Sequence, residues 1–260
     1  MAFLYGVAGR RELPGTLLVE LLGEFGMSPV AARRQLARMR TDGQLASSRS
    51  GRGAVYRLAG PFAEAFTRLR GEDGGSPAWE GYFHALLYQV PESQRAYRDR
   101  LRRTALLVGY GLLQPGILIA TRDRSGQLAD VLAECPEGAR VRRATVGMET
   151  AEAAAVAAAA WELDDLAGSF GEHLDRLRAA LDDPDEPTPT AATLRRLAQL
   201  LKEPYVDMIR DPGLPAALRP PHWPGAELRA AMERVQQRYL PPASRFVLAR
   251  LASVTAGERR

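Results

Sequence analysis

Residues 13–58 read LPGTLLVELLGEFGMSPVAARRQLARMRTDGQLASSRSGRGAVYRL, and their pattern decides the fold. Leu17, Leu18, Leu21, Leu22 and Phe25 recur at helical spacing and predict an inward stripe. Pro14 suits that helix's first turn, and Gly26 ends it by taking the left-handed cap conformation cheaply. Ser28-Pro29 then restarts the chain, with serine as N-cap and proline at the first helical position. The next helix is expected from about Pro29 to Asp42, stopped by Gly43. At about 100° per residue, Ala32, Leu36 and Met39 share its inward face. The opposite face carries Val30, Arg34, Ala37, Arg38 and Thr41, with Arg33 at its edge. Leu45–Ser48 reads as a strand, Arg49-Ser-Gly-Arg-Gly53 as a basic turn, and Ala54–Leu58 as the return strand. Two helices and a basic hairpin make a winged helix-turn-helix, whose second helix enters a major groove while the wing grips backbone. Ser28, Arg33, Arg34 and Arg38 are the candidate DNA contacts on the helix, and Arg49 and Arg52 those on the wing.

Composition qualifies this reading. The chain has 260 residues, a formal net charge of +4 and 46% hydrophobic residues, ordinary for a globular protein. Of its 35 Lys and Arg residues only Lys202 is lysine. A GC-rich genome produces that bias unaided, so arguments from arginine position count and arguments from arginine number do not. Cys135 is the sole cysteine, which excludes an internal disulfide or a thiolate metal cluster and suits a reducing cytoplasm. No apolar run approaches the roughly 20 residues of a membrane helix, and the N-terminus does not read as a signal peptide.

Upstream, residues 1–10 predict a short helix with Phe3, Leu4 and Val7 on one side. Downstream, Pro61–Arg70 reads as a helix and residues 71–77 (GEDGGSP) as a linker. Tyr82–Val90 reads as a buried strand, Ser93–Val108 as an arginine-rich helix, and Leu112–Thr121 as a strand pair or a bent strand. Gly126–Cys135 reads as a short helix and Arg140–Gly147 as a closing strand. Strand, helix, strand pair, helix, strand is the ferredoxin-like order. From Ala151 the chain is expected to be helical. Ala151–Asp182 carries Trp161, Leu163, Leu166, Phe170, Leu174, Leu177 and Leu181 inward. Ala191–Ile209 is bent or restarted at Pro204, and Ala226–Tyr239 and Ala243–Val254 close the set. Residues 210–225, with five prolines, cannot be regular. The class is α+β: a winged helix-turn-helix DNA-binding domain at 1–70, a ferredoxin-like central domain at 78–148 and a helical C-terminal domain at 151–260.

Three stretches resemble one family: residues 27–58, residues 79–123 (WEGYFHALLYQVPESQRAYRDRLRRTALLVGYGLLQPGILIATRD) and residues 210–225 (RDPGLPAALRPPHWPG). They are similar to the PaaX family of bacterial transcriptional repressors, named for control of phenylacetate catabolism. The resemblance implies a homodimer that binds double-stranded operator DNA and is released by an acyl-CoA, phenylacetyl-CoA in the founding case. An acyl-CoA would bring phosphates and an apolar end. Arg98, Arg102 and Arg103, or Arg210, are placed to meet phosphates, Trp161 or Trp223 to line an apolar pocket, and His84 completes the effector candidates. The same residues have plainer roles as a solvated helix face, packing against prolines, and a core or interface histidine.

The central region also resembles the small CRISPR-associated ferredoxin-like nuclease, which holds a catalytic aspartate at the end of its first strand. Here that position is near Gln89, a poor metal ligand, and Asp99 lies too far along the helix to replace it. No HxxxH, CxxC, phosphate loop or GxSxG elbow occurs, so neither an enzyme nor a cofactor is expected. A second class stays open: an assembly factor whose winged helix binds protein.

Overall fold

Pro14 ends a strand rather than sitting inside a helix. In the computed structural model, which describes residues 1–50, 53–59 and 78–258 (side chains at 50, 257 and 258 excepted), helix α1 (Ala2–Ala8) leads into strand β1 (Glu12–Pro14). Pro14 is then the N-cap of α2 (Gly15–Glu24). The cause lies far along the chain. Strand β1 pairs antiparallel with β3 (Gly53–Leu58), Leu13 opposite Tyr56, so a ladder claims Pro14 before the helix begins. Gly15 is required there, since a Cβ would lie 2.8 Å from the Tyr56 ring. Tyr5 donates its hydroxyl to the Tyr56 carbonyl at 3.0 Å, and Tyr5 rather than Phe3 is the buried aromatic of α1.

Helix α2 buries Leu17, Leu18 and Leu21, with Leu22 half-buried. Phe25 is 40% exposed instead of inward, because the helix has already ended and Phe25 is its C-cap. Gly26, at φ +83°, turns the chain while Met27 N–H donates to the Leu22 carbonyl at 3.2 Å. Helix α3 (Pro29–Thr41) starts as expected: Ser28 Oγ accepts the Ala31 N–H at 3.3 Å. Ala32, Leu36 and Met39 are all buried, and α3 packs on α2. Strand β2 (Leu45–Ser50) completes an antiparallel sheet of order β1-β3-β2. The hairpin is tighter than its composition suggests. Pairing continues to Ser50 opposite Gly53, so Arg49 lies in the strand, opposite Ala54, and not in the turn. Arg52, the helix expected at 61–70 and the linker at 71–77 lie outside the described residues.

A second antiparallel sheet has the order β5-β6-β4-β7. Its elements are β4 (Tyr82–Gln89), α4 (Arg95–Leu107), β5 (Gly111–Gln114), β6 (Ile117–Ala120), α5 (Ala129–Ala133) and β7 (Arg140–Gly147). Strands β5 and β6 form the strand pair, turning at Gly116 with φ +88°. One face buries Leu86, Leu118 and Ala120 against Tyr97, Leu101 and Ala105 of α4 and Val131 of α5. The other buries Phe83, Ala85 and Ile119 against Ala153 and Ala157 of α6 (Thr150–Ala160), with Leu163, Leu214 and Leu218.

The helix expected over 151–182 is broken at Glu162, which has φ +51°, and resumes as α7 (Leu163–Leu181). The break coincides with Trp161 docking on the sheet, its indole donating to the Gly109 carbonyl at 3.3 Å. Helix α8 (Ala191–Arg210) keeps Pro204 inside it. The two closing helices are one, α9 (Gly225–Glu258), which runs through Pro241 and Pro242. Val235, Tyr239, Ala243 and Val247 are buried at a continuous four-residue spacing across the prolines, and that packing outweighs the lost backbone hydrogen bonds. Between α8 and α9 only the short 3₁₀ turn Ala216–Leu218 is regular.

The chain is a mixed helix-and-sheet protein with two antiparallel sheets. It divides into two compact units: Met1–Asp73 with Leu174–Pro204 and Arg229–Arg260, and Gly74–His173 with Tyr205–Leu228.

Candidate nucleic-acid interface

The buried triad of α3 fixes the helix's rotation. With Ala32, Leu36 and Met39 inward, the side chains of Arg33, Arg34, Ala37, Arg38 and Thr41 are all exposed, and Val30 is 64% exposed. Helix α3 holds four arginines and no carboxylate. Arg33 and Arg34 have no hydrogen-bond or ion-pair partner among the described residues. Arg38 is braced, its Nη2 donating to Gln35 Oε1 at 2.7 Å, and Thr41 Oγ1 donates to the Ala37 carbonyl at 3.2 Å. Ser28 is exposed, with its hydroxyl engaged in the cap. Strand β2 adjoins α3 and presents Arg49 to solvent. Ser28, Arg33, Arg34, Arg38 and Arg49 all belong to the unit that contains Met1–Asp73. Guanidinium groups of this kind bind phosphate or guanine bidentately, and the small Ala37 between them permits close approach.

A signal invisible in the sequence sets the charge of this surface. The carboxylates of α2 face the C-terminal helices of the same unit. Arg250 of α9 donates to Glu20 at 2.6 Å, and Arg195 of α8 reaches both the Glu24 carboxylate and its carbonyl at 3.3 Å. Ser244 of α9 also donates to the Val7 carbonyl. Both acids of α2 are thereby engaged elsewhere.

The effector candidates come from several elements, with Trp161 and Trp223 packed against the same core. His84 lies in β4 opposite Ala120 and Thr145, its ring 5.4 Å edge-on from Tyr82. Arg98 on α4 is paired with Glu92 at 2.8 Å and Asp99 at 3.8 Å, which holds the Glu92 carboxyl below its ordinary range. Arg102 and Arg103, on the same helix, are exposed and free among the described residues. Arg210 is engaged by Asp207 at 3.1 Å and Glu162 at 3.8 Å. Trp161 wedges against Gly111 and packs 6.2 Å from Phe83. Trp223 packs 5.5 Å from Phe170 and donates to Asp211 at 3.4 Å.

Gln89 closes β4 opposite Arg140. A shallow cleft lined by Gln89, Val90, Pro91, Gly138 and Arg140 opens there, and none of these carries a carboxylate. Among the described residues no three His, Cys, Asp or Glu side chains converge as a metal site, and no helix is long and apolar enough to cross a membrane.

Comparison with known proteins tiles the chain with three family descriptions. Residues 4–61 match "PaaX-like protein", 76–156 "PaaX protein central Cas2-like domain" and 161–249 "PaaX-like protein C-terminal domain". The transcriptional repressor PaaX of Escherichia coli (strain K12) is 25% identical over 241 residues, spanning 88% of this chain and 75% of that protein. Among solved structures, the uncharacterized protein Rv0674 from Mycobacterium tuberculosis is similar with a TM-score of 0.53 at 25% identity, over 94% of this chain and 91% of that one.

Proposed function

The chain belongs to the PaaX family, and on that footing we propose that it is a sequence-specific DNA-binding transcriptional repressor. Residues 1–70 act as a winged helix-turn-helix, with α3 as its recognition helix and β2–β3 as its wing. The order β5-β6-β4-β7, with α4 and α5 interposed in the chain, is read as a ferredoxin-like domain over 78–148. Residues 151–260 form the helical C-terminal part. The protein works in the cytoplasm as a homodimer on operator DNA and is released by a small-molecule effector such as an acyl-CoA. Arg102 and Arg103, both exposed and unengaged among the described residues, are the effector candidates left to meet a phosphate.

The observation that carries the DNA reading is the exposed, carboxylate-free face of α3 beside a basic hairpin. A duplex offers phosphates for charge and base edges for specificity, and this surface supplies arginines for both. The test is a gel-shift titration at fixed salt. Arg34→Ala combined with Arg38→Ala abolishes specific operator binding and leaves the circular dichroism spectrum intact. Unchanged affinity removes α3 from the recognition role.

A further inference from the structure

Resting on that reading, we propose that Val30 recognises the C5-methyl group of a thymine in each operator half-site, within one or two base pairs of a guanine held by Arg34. Val30 is the one large apolar side chain of α3 left in solvent. It is 64% exposed, whereas Leu36 and Met39 are buried. As a β-branched residue it forms helix less well than alanine, and at this exposure little packing offsets that cost. Its position has the character of a contact surface. Pro29 opens the helix after the Ser28 cap, so Val30 is in the first turn. The N-terminal residues of a recognition helix are the ones that touch base edges.

Val30 lies on the same face as Arg34, one turn away and about 6 Å along the axis, a separation of roughly two base-pair steps. Ala37 continues the line with a side chain too small to hold the helix off the groove floor. Valine has no donor or acceptor. The feature of an unmodified major groove that it can cover is the thymine methyl, which A·T pairs carry and G·C pairs lack. Arginine, in contrast, matches the paired acceptors O6 and N7 of guanine.

The experiment selects duplexes from a randomised pool with the full-length protein at fixed salt, then replaces each thymine singly by uracil, which removes one methyl and nothing else. For the wild type, one replacement per half-site weakens binding about fourfold, the worth of one buried methyl group. Val30→Ala, which removes the contact from both half-sites, weakens binding to the thymine duplex by about the square of that factor and is indifferent to that uracil. Because Val30 is exposed, the variant keeps its fold, checked by an unchanged Tm. Indifference of the wild type to every uracil overturns the proposal, as does an equal loss in Val30→Ala. In either case the repressor reading stands, provided the double variant Arg34→Ala, Arg38→Ala still loses the selected duplex. If selection enriches no sequence, the repressor reading and this proposal fall together.

Discussion

Gly111→Ala reports whether Trp161 is a structural wedge. An ideal Cβ on Gly111 lies 2.6 Å from Trp161 Cε2, 2.8 Å from Cδ2 and 3.0 Å from the Ala160 carbonyl oxygen. Comfortable carbon–carbon contact is about 3.5–4.0 Å, so the indole must retreat by about 1 Å. It has little room. Its Nε1 is held by the Gly109 carbonyl at 3.3 Å, and its ring packs on the core that contains Phe83. Overpacking of this kind costs about 1–3 kcal/mol. Gly111 has no positive φ, so alanine also restricts the unfolded chain, a gain of about 0.4–1 kcal/mol. The net expectation is a loss of about 1–2 kcal/mol and a Tm lower by a few degrees. In a Trp161→Ala background the obstructing ring is gone and only the Ala160 carbonyl contact remains, so Gly111→Ala costs little. The coupling is then about 1 kcal/mol or more, above the level at which independent sites add. Urea unfolding of the four proteins, followed by far-UV circular dichroism, measures it. An equal cost in both backgrounds refutes the wedge and frees Trp161 for an effector pocket.

Two further outcomes test charge and burial. Burial first, and then the neighbouring Cys135 thiol, push the Tyr97 phenol up to about 12. Because the folded value is raised, the stability it contributes is full below pH 10 and is lost as pH rises from about 10 to 12. Tyr97→Phe therefore moves alkaline unfolding to higher pH, with a residual slope left by Tyr5 and Tyr110, also raised by burial; an unchanged alkaline profile contradicts this. Arg49→Ala weakens all DNA sequences about equally and lowers the slope of log K against log salt by roughly 0.9, one phosphate contact. A sequence-dependent loss with an unchanged slope would instead place Arg49 on a base edge.

What could be read from the sequence was what local chemistry decides. The Ser28 cap, the stops at Gly26 and Gly43 and the inward triad of α3 each depend on residues within a turn or two. Distant partners decided the rest. Glu12–Pro14 is too short to announce a strand, and becomes one because β3 lies alongside, some forty residues later. Serine, glycine and arginine mark residues 49–53 as a turn by composition, yet small side chains on both strands let the ladder run on to Ser50 and Gly53. Pro241 and Pro242 would stop an isolated helix, and only the buried positions on either side carry α9 through them. No sequence pattern marks the neighbour Trp161 packs against, the missing Cβ of Gly111 fifty residues away.

The same division between local and distant causes explains the candidate site. A chain with one lysine displays arginine everywhere, so the arginines of α3 carry weight only through where they point and what neutralises them. Their direction was legible, since Ala32, Leu36 and Met39 fix the rotation. Their neutralisation was not. Glu20 and Glu24 precede them closely in sequence and could have offset their charge, but the structure commits both acids to Arg250 and Arg195. Each such pair is partly exposed and contributes at most about 1 kcal/mol to stability. Their larger consequence is for charge and linkage. They leave the face of α3 without compensating acids from α2, and with the Ser244–Val7 hydrogen bond they tie α1 and α2 to helices α8 and α9. On the proposed reading, a ligand that repositions α8 or α9 would reach α3 through α1 and α2, which these bonds hold, with no need to touch the exposed arginines.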